Sequence, residues 1–160
     1  MNFVNVYRRW LSRMAMSHFS RFWLGPKVIS RADRLLYKPT HGGLLSLGSR
    51  AYPTLLLTTT GRKTGHPHTV PLFYLPSDQG LLVVASNYGR PQHPGWSANL
   101  VSQPVARVQV DHRSWEVRAR LLAPEDKAAV WPELLDLFDG WQQYEEETER
   151  SIRVFSLDPI

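Results

Sequence analysis

The 160-residue sequence contains no cysteine. This absence excludes disulfide bonds, thiolate nucleophiles and cysteine-ligated metals, so we expect packing alone to stabilise the fold. No apolar run approaches the length needed to span a bilayer, and arginines interrupt the apolar runs near the beginning, so we expect neither a transmembrane helix nor a secretory signal. The glycine pattern of dinucleotide-binding folds follows none of the predicted strands, which disfavours a parallel, doubly wound sheet.

Positive charge is concentrated in the first third of the chain. The net charge is +5, but residues 1–50 hold nine arginines and lysines against the single acid Asp33, a net +8, so residues 51–160 hold ten against thirteen, a net −3. A basic segment of this kind is attracted to anionic surfaces. With 42% hydrophobic residues the chain has enough apolar sequence for one folded domain, and nothing in it indicates a nucleic-acid partner.

Residues 1–42 form a basic segment whose apolar spacing predicts an amphipathic helix. One face carries Phe3, Tyr7, Trp10, Leu11 and Met14, and the other carries Arg8, Arg9 and Arg13. Two roles remain open for this segment: peripheral contact of residues 1–24 with an anionic membrane, or packing of the apolar face on the rest of the protein. The compact domain is predicted over residues 43–160, after a break that contains glycine and proline.

The sequence Gly61-Arg62-Lys63-Thr64-Gly65 lies between two β-branched and aliphatic runs, at residues 54–60 and 69–75. Two strands joined by a short segment with glycine are typical of a hairpin, here with a cationic tip. The glycines let the backbone turn and approach a ligand closely, while the arginine, the lysine and the threonine hydroxyl supply hydrogen-bond donors. The tip therefore suits a phosphate or a carboxylate, although an ordinary solvated hairpin carries similar residues.

The rest of the domain predicts four more strands and two packing helices. The strands cover residues 81–86, 105–110, 115–122 and 152–157. Alternation in the third of these places Leu121 on the inward side of the sheet. Pro94 begins a short helix over residues 96–101, and a longer helix runs from Pro124 until Gly140 stops it. Mostly antiparallel strands interrupted by two helices favour an α+β fold with a small barrel or curled sheet.

Other candidate chemistry has less support. The histidines that could ligate a metal are His66, His68, His93 and His112. No carboxylate lies at ligand-like spacing beside them, so we expect no metal site. The acidic run at residues 145–149 is typical of a solvated helix face rather than of an acid–base pair. No nucleophile elbow surrounds Ser86, which argues against a serine hydrolase.

An ordered series of short motifs resembles one known family. The motifs are Thr58-Thr59-Thr60-Gly61-Arg62-Lys63-Thr64-Gly65, Pro71-Leu72, Ala85-Ser86-Asn87 with Gly89, His93-Pro94 with Trp96 and Asn99-Leu100, Trp131-Pro132, and Thr148 with Arg150. Over residues 55–159 the chain resembles the deazaflavin-dependent nitroreductase family, also called F420-dependent quinone reductases. The resemblance implies a split β-barrel of the FMN-binding type that transfers a hydride from a reduced 8-hydroxy-5-deazaflavin, coenzyme F420, to a quinone, nitroaromatic or enone acceptor. It also implies a cytoplasmic enzyme, with peripheral association at the inner face of the membrane in some members.

The resemblance further implies which residues bind the coenzyme. Its phosphate and acidic tail would be held by charge-assisted donors at the tip, namely Arg62, Lys63, Thr64 and Gly65. His68 stands where an arginine is frequent, so tail binding would be weaker or would depend on pH. The deazaflavin ring would lie along a segment made of Ala85, Ser86, Asn87, Tyr88 and Gly89. The remaining predicted contacts are Pro71 on the second strand, and Trp96 and Asn99, which would close the pocket.

On the acceptor side, the places of the family's pocket tyrosines are taken by Phe138, Trp141 and Tyr144. Because only Tyr144 keeps a hydroxyl, Tyr144 and Ser86 are predicted to polarise the acceptor, and the alternative is that Tyr144 only packs. Two other functions remain open at this stage. One is binding of FMN or the deazaflavin without turnover, and the other is membrane binding through the basic helix alone. The sequence leaves the choice between coenzyme F420 and FMN, and the oligomeric state, undecided.

Overall fold

The computed structural model describes residues 52–160. The segment predicted at residues 1–42, its proposed membrane contact and the domain boundary at residue 43 lie outside the described residues. The elements in chain order are β1 (Thr54–Thr60), β2 (Pro67–Ser77), β3 (Gly80–Ala85), α1 (Gly95–Ser102), β4 (Val105–Val110), β5 (Arg113–Leu121), α2 (Pro124–Leu137), α3 (Gly140–Glu146) and β6 (Arg153–Pro159). A short 3₁₀ turn at Asn87–Gly89 follows β3.

The six strands within residues 52–160 close into an antiparallel barrel. Their order around the barrel is β1-β2-β3-β6-β5-β4, and β4 pairs with β1 to complete the circle. The hairpins β1–β2, β2–β3 and β4–β5 join neighbouring strands directly, whereas β6 inserts between β3 and β5. The predicted α+β fold with an antiparallel barrel is therefore confirmed.

Strand β3 is buried on both faces, which explains its nearly uninterrupted apolar sequence. Side chains alternate across a strand, so Val83 and Ala85 pack in the barrel interior. Leu82 and Val84 face the other way and belong to a second apolar cluster, which includes Leu134 and other residues of α2 and α3. The barrel wall formed by β3 thus separates two cores, one inside the barrel and one between the barrel and the helices.

The structure adds a third helix, α3, where the sequence showed only acidic and aromatic residues. Gly140 begins α3 and does not end α2, which stops at Leu137. A β-carbon at Gly140 would lie 2.5 Å from the Phe138 ring, so glycine at this position lets the ring fold back over the backbone. None of the helices in the described range is long and apolar enough to cross a membrane.

Strand boundaries agree with the sequence prediction to within a few residues, but one side chain on the inward side of the sheet is not buried. Leu121 was predicted to face inward, and it is 45% exposed. It is the last residue of β5, opposite Phe155 of β6. Alternation places a side chain in the core only while the strand lies over the barrel interior, and at Leu121 the chain is already leaving it.

Candidate active site

The hairpin tip between β1 and β2 is a tight turn closed by its own backbone. Gly61 N–H donates to the carbonyl of His66 at 2.8 Å, and Gly65 N–H donates to the carbonyl of Gly61 at 2.7 Å. Gly65 has a φ of 69°, a left-handed conformation that glycine adopts at little cost. At Gly61 a β-carbon would lie 2.6 Å from Thr64 Oγ1 and 2.7 Å from the His68 ring. The turn therefore favours glycine at position 65 because of its backbone conformation, and a side chain at position 61 would displace the side chains of Thr64 and His68.

The tip presents its cations to solvent. Residues 62–68 are exposed. Within residues 52–160, no carboxylate forms an ion pair with Arg62 or Lys63. Their charge is thus not neutralised by the described part of the protein, and it can attract an anion over about one Debye length, about 8 Å at physiological salt.

Asn99 of α1 fastens the tip to the body of the protein. Its Oδ1 accepts hydrogen bonds from Arg62 N–H and from Arg62 Nη1, both at 3.2 Å. Its Nδ2 donates to Thr59 Oγ1 at 3.1 Å. Asn99 is only 5% exposed, so its hydrogen bonds are largely shielded from water. Hydrogen bonds are stronger in such a shielded environment than in water. Asn99, which was predicted to close the pocket, therefore positions Arg62 through hydrogen bonds to its backbone N–H and its guanidinium.

The two remaining predicted residues of β2 lie at different distances from the tip. His68 Nε2 is 3.5 Å from Thr64 Oγ1, so its ring stands beside the turn. Pro71 lies opposite Leu56, in the half of β2 that pairs only with β1. A proline is tolerated there because the other side of the strand has no neighbouring strand to receive an N–H.

The segment after β3, predicted to bind the deazaflavin ring, has an unusual backbone. Asn87, Tyr88 and Gly89 have positive φ angles of 49°, 57° and 69°. Glycine adopts this conformation freely and asparagine tolerates it, but for a residue such as tyrosine it costs roughly 1–2 kcal/mol. Within the segment, Gly89 N–H donates to the Ser86 carbonyl at 3.1 Å, and Asn87 Nδ2 donates to the Gln92 carbonyl at 2.8 Å. Strain of this kind persists only where surrounding contacts hold it, and it is concentrated at functional sites.

Arg150 supplies such contacts, and the sequence assigned no role to it. Its Nε donates to the Arg90 carbonyl at 2.9 Å, Nη2 to the Ser86 carbonyl at 2.6 Å, and Nη1 to the Ala85 carbonyl at 3.4 Å. Nη1 also lies 3.2 Å from His93 Nδ1. The available sequence signal was the place of Arg150 in the motif series. Its acceptors were not predictable from local sequence, because they are backbone carbonyls 60 to 65 residues away.

The surroundings of His93 favour the neutral form of its ring. Partial burial lowers the pKa of the His93 ring from its ordinary value of 6.5, and the positive charges of Arg153 and Arg150 lower it further. A neutral ring accepts the N–H of Arg150 at Nδ1, whereas a protonated ring has no lone pair to do so. Within residues 52–160, no group of three histidine or acidic side chains could hold a metal ion.

We expect acid to destabilise the protein through His93. The unfolded chain binds a proton near the ordinary pKa of 6.5, whereas the folded protein binds it only at lower pH. The unfolded state therefore holds more protons between these two values, and the free energy of unfolding falls as the pH drops below about 6.5. Urea unfolding at about pH 7.5 and about pH 5.5 measures this fall. The fall should be smaller in His93→Asn, which keeps an acceptor for Arg150 but cannot titrate, and an equal fall in both proteins contradicts the prediction.

An aromatic cluster lies between the outer face of the barrel and the helices α2 and α3. Its rings are those of Tyr52, Phe73, Tyr88, Phe138, Trp141 and Tyr144. The three predicted acceptor residues are together in it, since the ring centroid of Phe138 lies 5.5 Å from that of Trp141 and 6.4 Å from that of Tyr144. All three are buried, with exposed fractions of 7%, 5% and 3% in chain order. They form an apolar interior surface.

The predicted ring-binding segment and the predicted acceptor residues meet at Tyr88. Its ring centroid lies 6.3 Å from that of Tyr144, in an edge-to-face arrangement. By contrast, Trp96 lies in the barrel interior, where its ring centroid is 5.8 Å from that of Phe155. Closure of the pocket by Trp96 and Asn99 therefore stays a prediction, since one residue packs in the core and the other holds the tip.

Comparison with known proteins identifies the family. A model of the family described as F420H(2)-dependent quinone reductase matches residues 30–159. The chain belongs to this family. The match confirms the family recognised from the motifs, and it begins at residue 30, inside the segment predicted to precede the domain. The quinone reductase sequence pattern therefore extends further towards the N terminus than the motifs themselves.

Individual relatives in the quinone reductase family cover most of the chain. A Mycobacterium tuberculosis protein named F420H(2)-dependent quinone reductase Rv1261c is 33% identical over 141 residues, which are 84% of this chain and 95% of that protein. Among solved structures, the F420-H2 dependent reductase FDR-A is 32% identical, with a TM-score of 0.61 over 66% of this chain and 94% of that chain. Another, described as a domain-swapped dimer, is 30% identical, with a TM-score of 0.63 over 80% and 94%.

Proposed function

We propose that this protein is an oxidoreductase that transfers a hydride from reduced coenzyme F420 to a quinone. The observation that carries the proposal is the family match over residues 30–159, supported by a relative named as an F420H(2)-dependent quinone reductase over 95% of its length. The geometry supports it in three places: a cationic tip, a fixed loop after β3, and a buried aromatic cluster that touches that loop. Each place suits one part of a phosphorylated, tricyclic coenzyme and its acceptor.

The donor set of the tip fits an anionic tail. Arg62, Lys63 and Thr64 are exposed, and a β-carbon placed on Gly65 would meet nothing within 4 Å, so a ligand can approach the backbone there. Hydrogen bonds from charged donors to a phosphate or carboxylate are roughly twice as strong as those between neutral groups. We therefore assign the phosphate and the acidic tail to the tip, with His68 as a further donor beside it.

We assign the ring to the loop at residues 85–89. Arg150 binds the carbonyls of Ala85 and Ser86, and Gly89 N–H donates to the Ser86 carbonyl, so we assign the ligand to the other backbone N–H groups of the loop and to the Ser86 hydroxyl. Such donors suit the carbonyl-rich edge of a flavin-like ring. When bound, the coenzyme supplies the hydride, and the protein contributes binding and orientation.

We assign the acceptor to the aromatic cluster. Of its three predicted pocket residues, only Tyr144 has a hydroxyl, and we propose that Tyr144 Oη holds the proton that the reduced acceptor takes up. The rings of Phe138, Trp141 and Tyr144 provide an apolar environment, which favours a flat apolar acceptor. A quinone or enone fits this surface better than a nitroaromatic, whose nitro group requires more hydrogen-bond donors.

A fluorescence titration with oxidised coenzyme F420, and in parallel with FMN, tests the cofactor. We expect micromolar or tighter binding of coenzyme F420 and much weaker binding of FMN, followed by oxidation of reduced coenzyme F420 when a soluble quinone is added. Tighter binding of FMN would identify FMN as the cofactor and would leave the assignment of the fold unchanged. Tight binding without reduction of any acceptor would support a carrier without turnover, and binding of neither cofactor overturns the proposal.

Membrane contact through residues 1–24 stays a proposal, because these residues lie outside the described range. Its basis is the basic, amphipathic pattern of the sequence and the lipid solubility of many quinones. Flotation of the full chain with anionic and with neutral vesicles tests it. Binding to anionic vesicles that weakens steeply with salt is the expected result, and binding to neither kind contradicts it.

A further inference from the structure

We propose that Arg150 is a positioning residue that sets the loop at residues 85–90 in the orientation needed for hydride transfer. The inference rests on the proposed function, since it gives Arg150 a part in the same reaction. Arg150 belongs to none of the predicted contacts with coenzyme or acceptor. Its role follows from the backbone groups that it binds and from their place on both sides of the loop.

The guanidinium of Arg150 connects the two ends of the loop. It binds the carbonyls of Ala85 and Ser86 at the beginning and the carbonyl of Arg90 at the end, through three different nitrogen atoms. A guanidinium presents its donors in a rigid planar fork, whereas the ammonium of lysine is a single point. The fork therefore lets Arg150 bind the three carbonyls through three different nitrogen atoms, which the single nitrogen of a lysine cannot do.

These three hydrogen bonds, which we call the clamp, hold both ends of the loop while its centre keeps an unfavourable backbone conformation. Between the clamped carbonyls lie Asn87, Tyr88 and Gly89, all with positive φ. For Tyr88 that conformation is unfavourable, so the segment would relax towards ordinary geometry if its ends were released. The backbone hydrogen bonds within the loop, from Gly89 N–H to the Ser86 carbonyl and from Arg90 N–H to the Asn87 carbonyl, join loop residues to one another and do not connect them to the barrel.

The role of Arg150 is distinct from that of a surface ion pair. In the described part of the chain no carboxylate lies within ion-pair distance of its guanidinium, and its observed acceptors are carbonyl oxygens and His93 Nδ1. The clamp thus depends on the direction of several hydrogen bonds. Charge alone would not reproduce it.

Arg150 also connects the loop to the acceptor side. It lies four residues after the end of α3 at Glu146, the helix that carries Trp141 and Tyr144. A second connection is the edge-to-face contact between the rings of Tyr88 and Tyr144. The loop is therefore fixed to the acceptor side at two points, and loss of one leaves the other as a pivot about which the loop can rotate.

Loss of the clamp should affect turnover more than binding. The tip holds the anionic tail independently of the loop, so most of the affinity for the coenzyme remains when the loop is released. Hydride transfer, in contrast, requires the reacting atoms at a separation of about 3–3.5 Å, and a displacement of about 1 Å costs up to about 100-fold in rate. The expected signature is a fall in kcat with a modest change in Kd.

The test compares Arg150→Gln and Arg150→Lys with wild type and with Arg107→Gln. Arg107 is the matched control, because it is an arginine on the barrel surface whose side chain is 64% exposed and lies 4.0 Å from the carboxylate of Glu116, a weak surface ion pair. We expect Arg150→Gln to lower kcat for quinone reduction by about 10- to 100-fold while raising the Kd for coenzyme F420 by less than about 5-fold. Arg150→Lys should resemble Arg150→Gln, and Arg107→Gln should resemble wild type.

Hydrogen exchange supplies a second readout that needs neither coenzyme nor turnover. In the ligand-free protein, mass spectrometry should show faster amide exchange in the peptide containing residues 85–90 of Arg150→Gln, with unchanged exchange in β1 and β2. If Arg150→Gln does not fold, the same measurements on Arg150→Lys decide.

The outcomes separate this inference from the proposed function. Wild-type protein that neither binds nor oxidises coenzyme F420 overturns the proposed function and the positioning role with it. An active wild type together with an Arg150→Gln variant whose kcat is within about twofold overturns only the positioning role. Full recovery of kcat in Arg150→Lys would show that a positive charge at this position is sufficient. A lower kcat together with a proportionate rise in Kd and a lower melting temperature would indicate a purely structural residue. Both results contradict the inference.

Discussion

We expect Phe155→Ala to lower the free energy of unfolding by about 3–5 kcal/mol. Phe155 is 1% exposed, and it packs in the barrel interior beside Trp96 of α1. The loss has two contributions. One is the favourable free energy of burying the phenyl ring, and the other is the cost of the cavity that the missing ring leaves, which the barrel strands cannot close by collapsing. Chemical unfolding monitored by tryptophan fluorescence and by circular dichroism measures the change.

The matched control for this experiment is Leu121→Ala. Leu121 lies opposite Phe155 in the β5–β6 register, but it is 45% exposed. Truncation of an exposed side chain leaves no cavity, so the free energy of unfolding should change by no more than about 0.5 kcal/mol. Comparable losses in the two variants would show that the barrel interior does not carry the stability of this domain.

Lys63→Ala should weaken the binding of coenzyme F420 by about 1.5–3 kcal/mol, the usual contribution of a hydrogen bond to a charged group. The side chain is exposed at the tip and makes no ion pair within residues 52–160, so its whole interaction is available to the ligand. For the same reason the melting temperature should stay close to that of wild type. Fluorescence titration with oxidised coenzyme F420 gives the Kd, and a thermal melt gives the stability.

Two further variants show whether the effect belongs to the tip. Arg107→Ala removes one positive charge from the barrel surface and should leave the Kd nearly unchanged. Arg62→Ala removes a cation and also a donor to Asn99, so it should weaken binding and additionally loosen the tip. An unchanged Kd in Lys63→Ala would remove the tip from the coenzyme site, whatever the result for Arg62.

Much of the fold was predictable because its signals are local. The β-branched runs on either side of Gly61 and Gly65 predicted the first hairpin, and the antiparallel pairing of β1 with β2 confirms it. The apolar sequence at residues 81–86 predicted a strand, and β3 is found at Gly80–Ala85 with its last four residues buried. Alternation gave the side on which Leu121 lies but not its exposure, since burial also depends on where a strand lies over the core.

The candidate site was less predictable because its decisive contacts join distant parts of the chain. Asn99 lies 37 residues from Arg62, and the two are brought together only when α1 packs against the barrel. Arg150 binds backbone carbonyls, which carry no sequence signal. Gly140 looked like the end of a helix, and its actual function depends on the Phe138 ring that folds over it. In each case the missing information was the tertiary arrangement.

The attachment of the tip to α1 through Asn99 has a consequence for ligand choice. Because α1 begins two residues after His93, which contacts the Arg150 guanidinium, this short helix helps to set how far apart the tip and the loop at residues 85–90 are held. A ligand that contacts both the tip and the loop is bivalent. Once one contact has formed, the second forms at an effective concentration that depends on how well the length of the ligand matches the distance between the tip and the loop. Molecules with the same charged group and the same ring, but with a longer or shorter linker, would thus be distinguished by geometry although every individual contact remained possible.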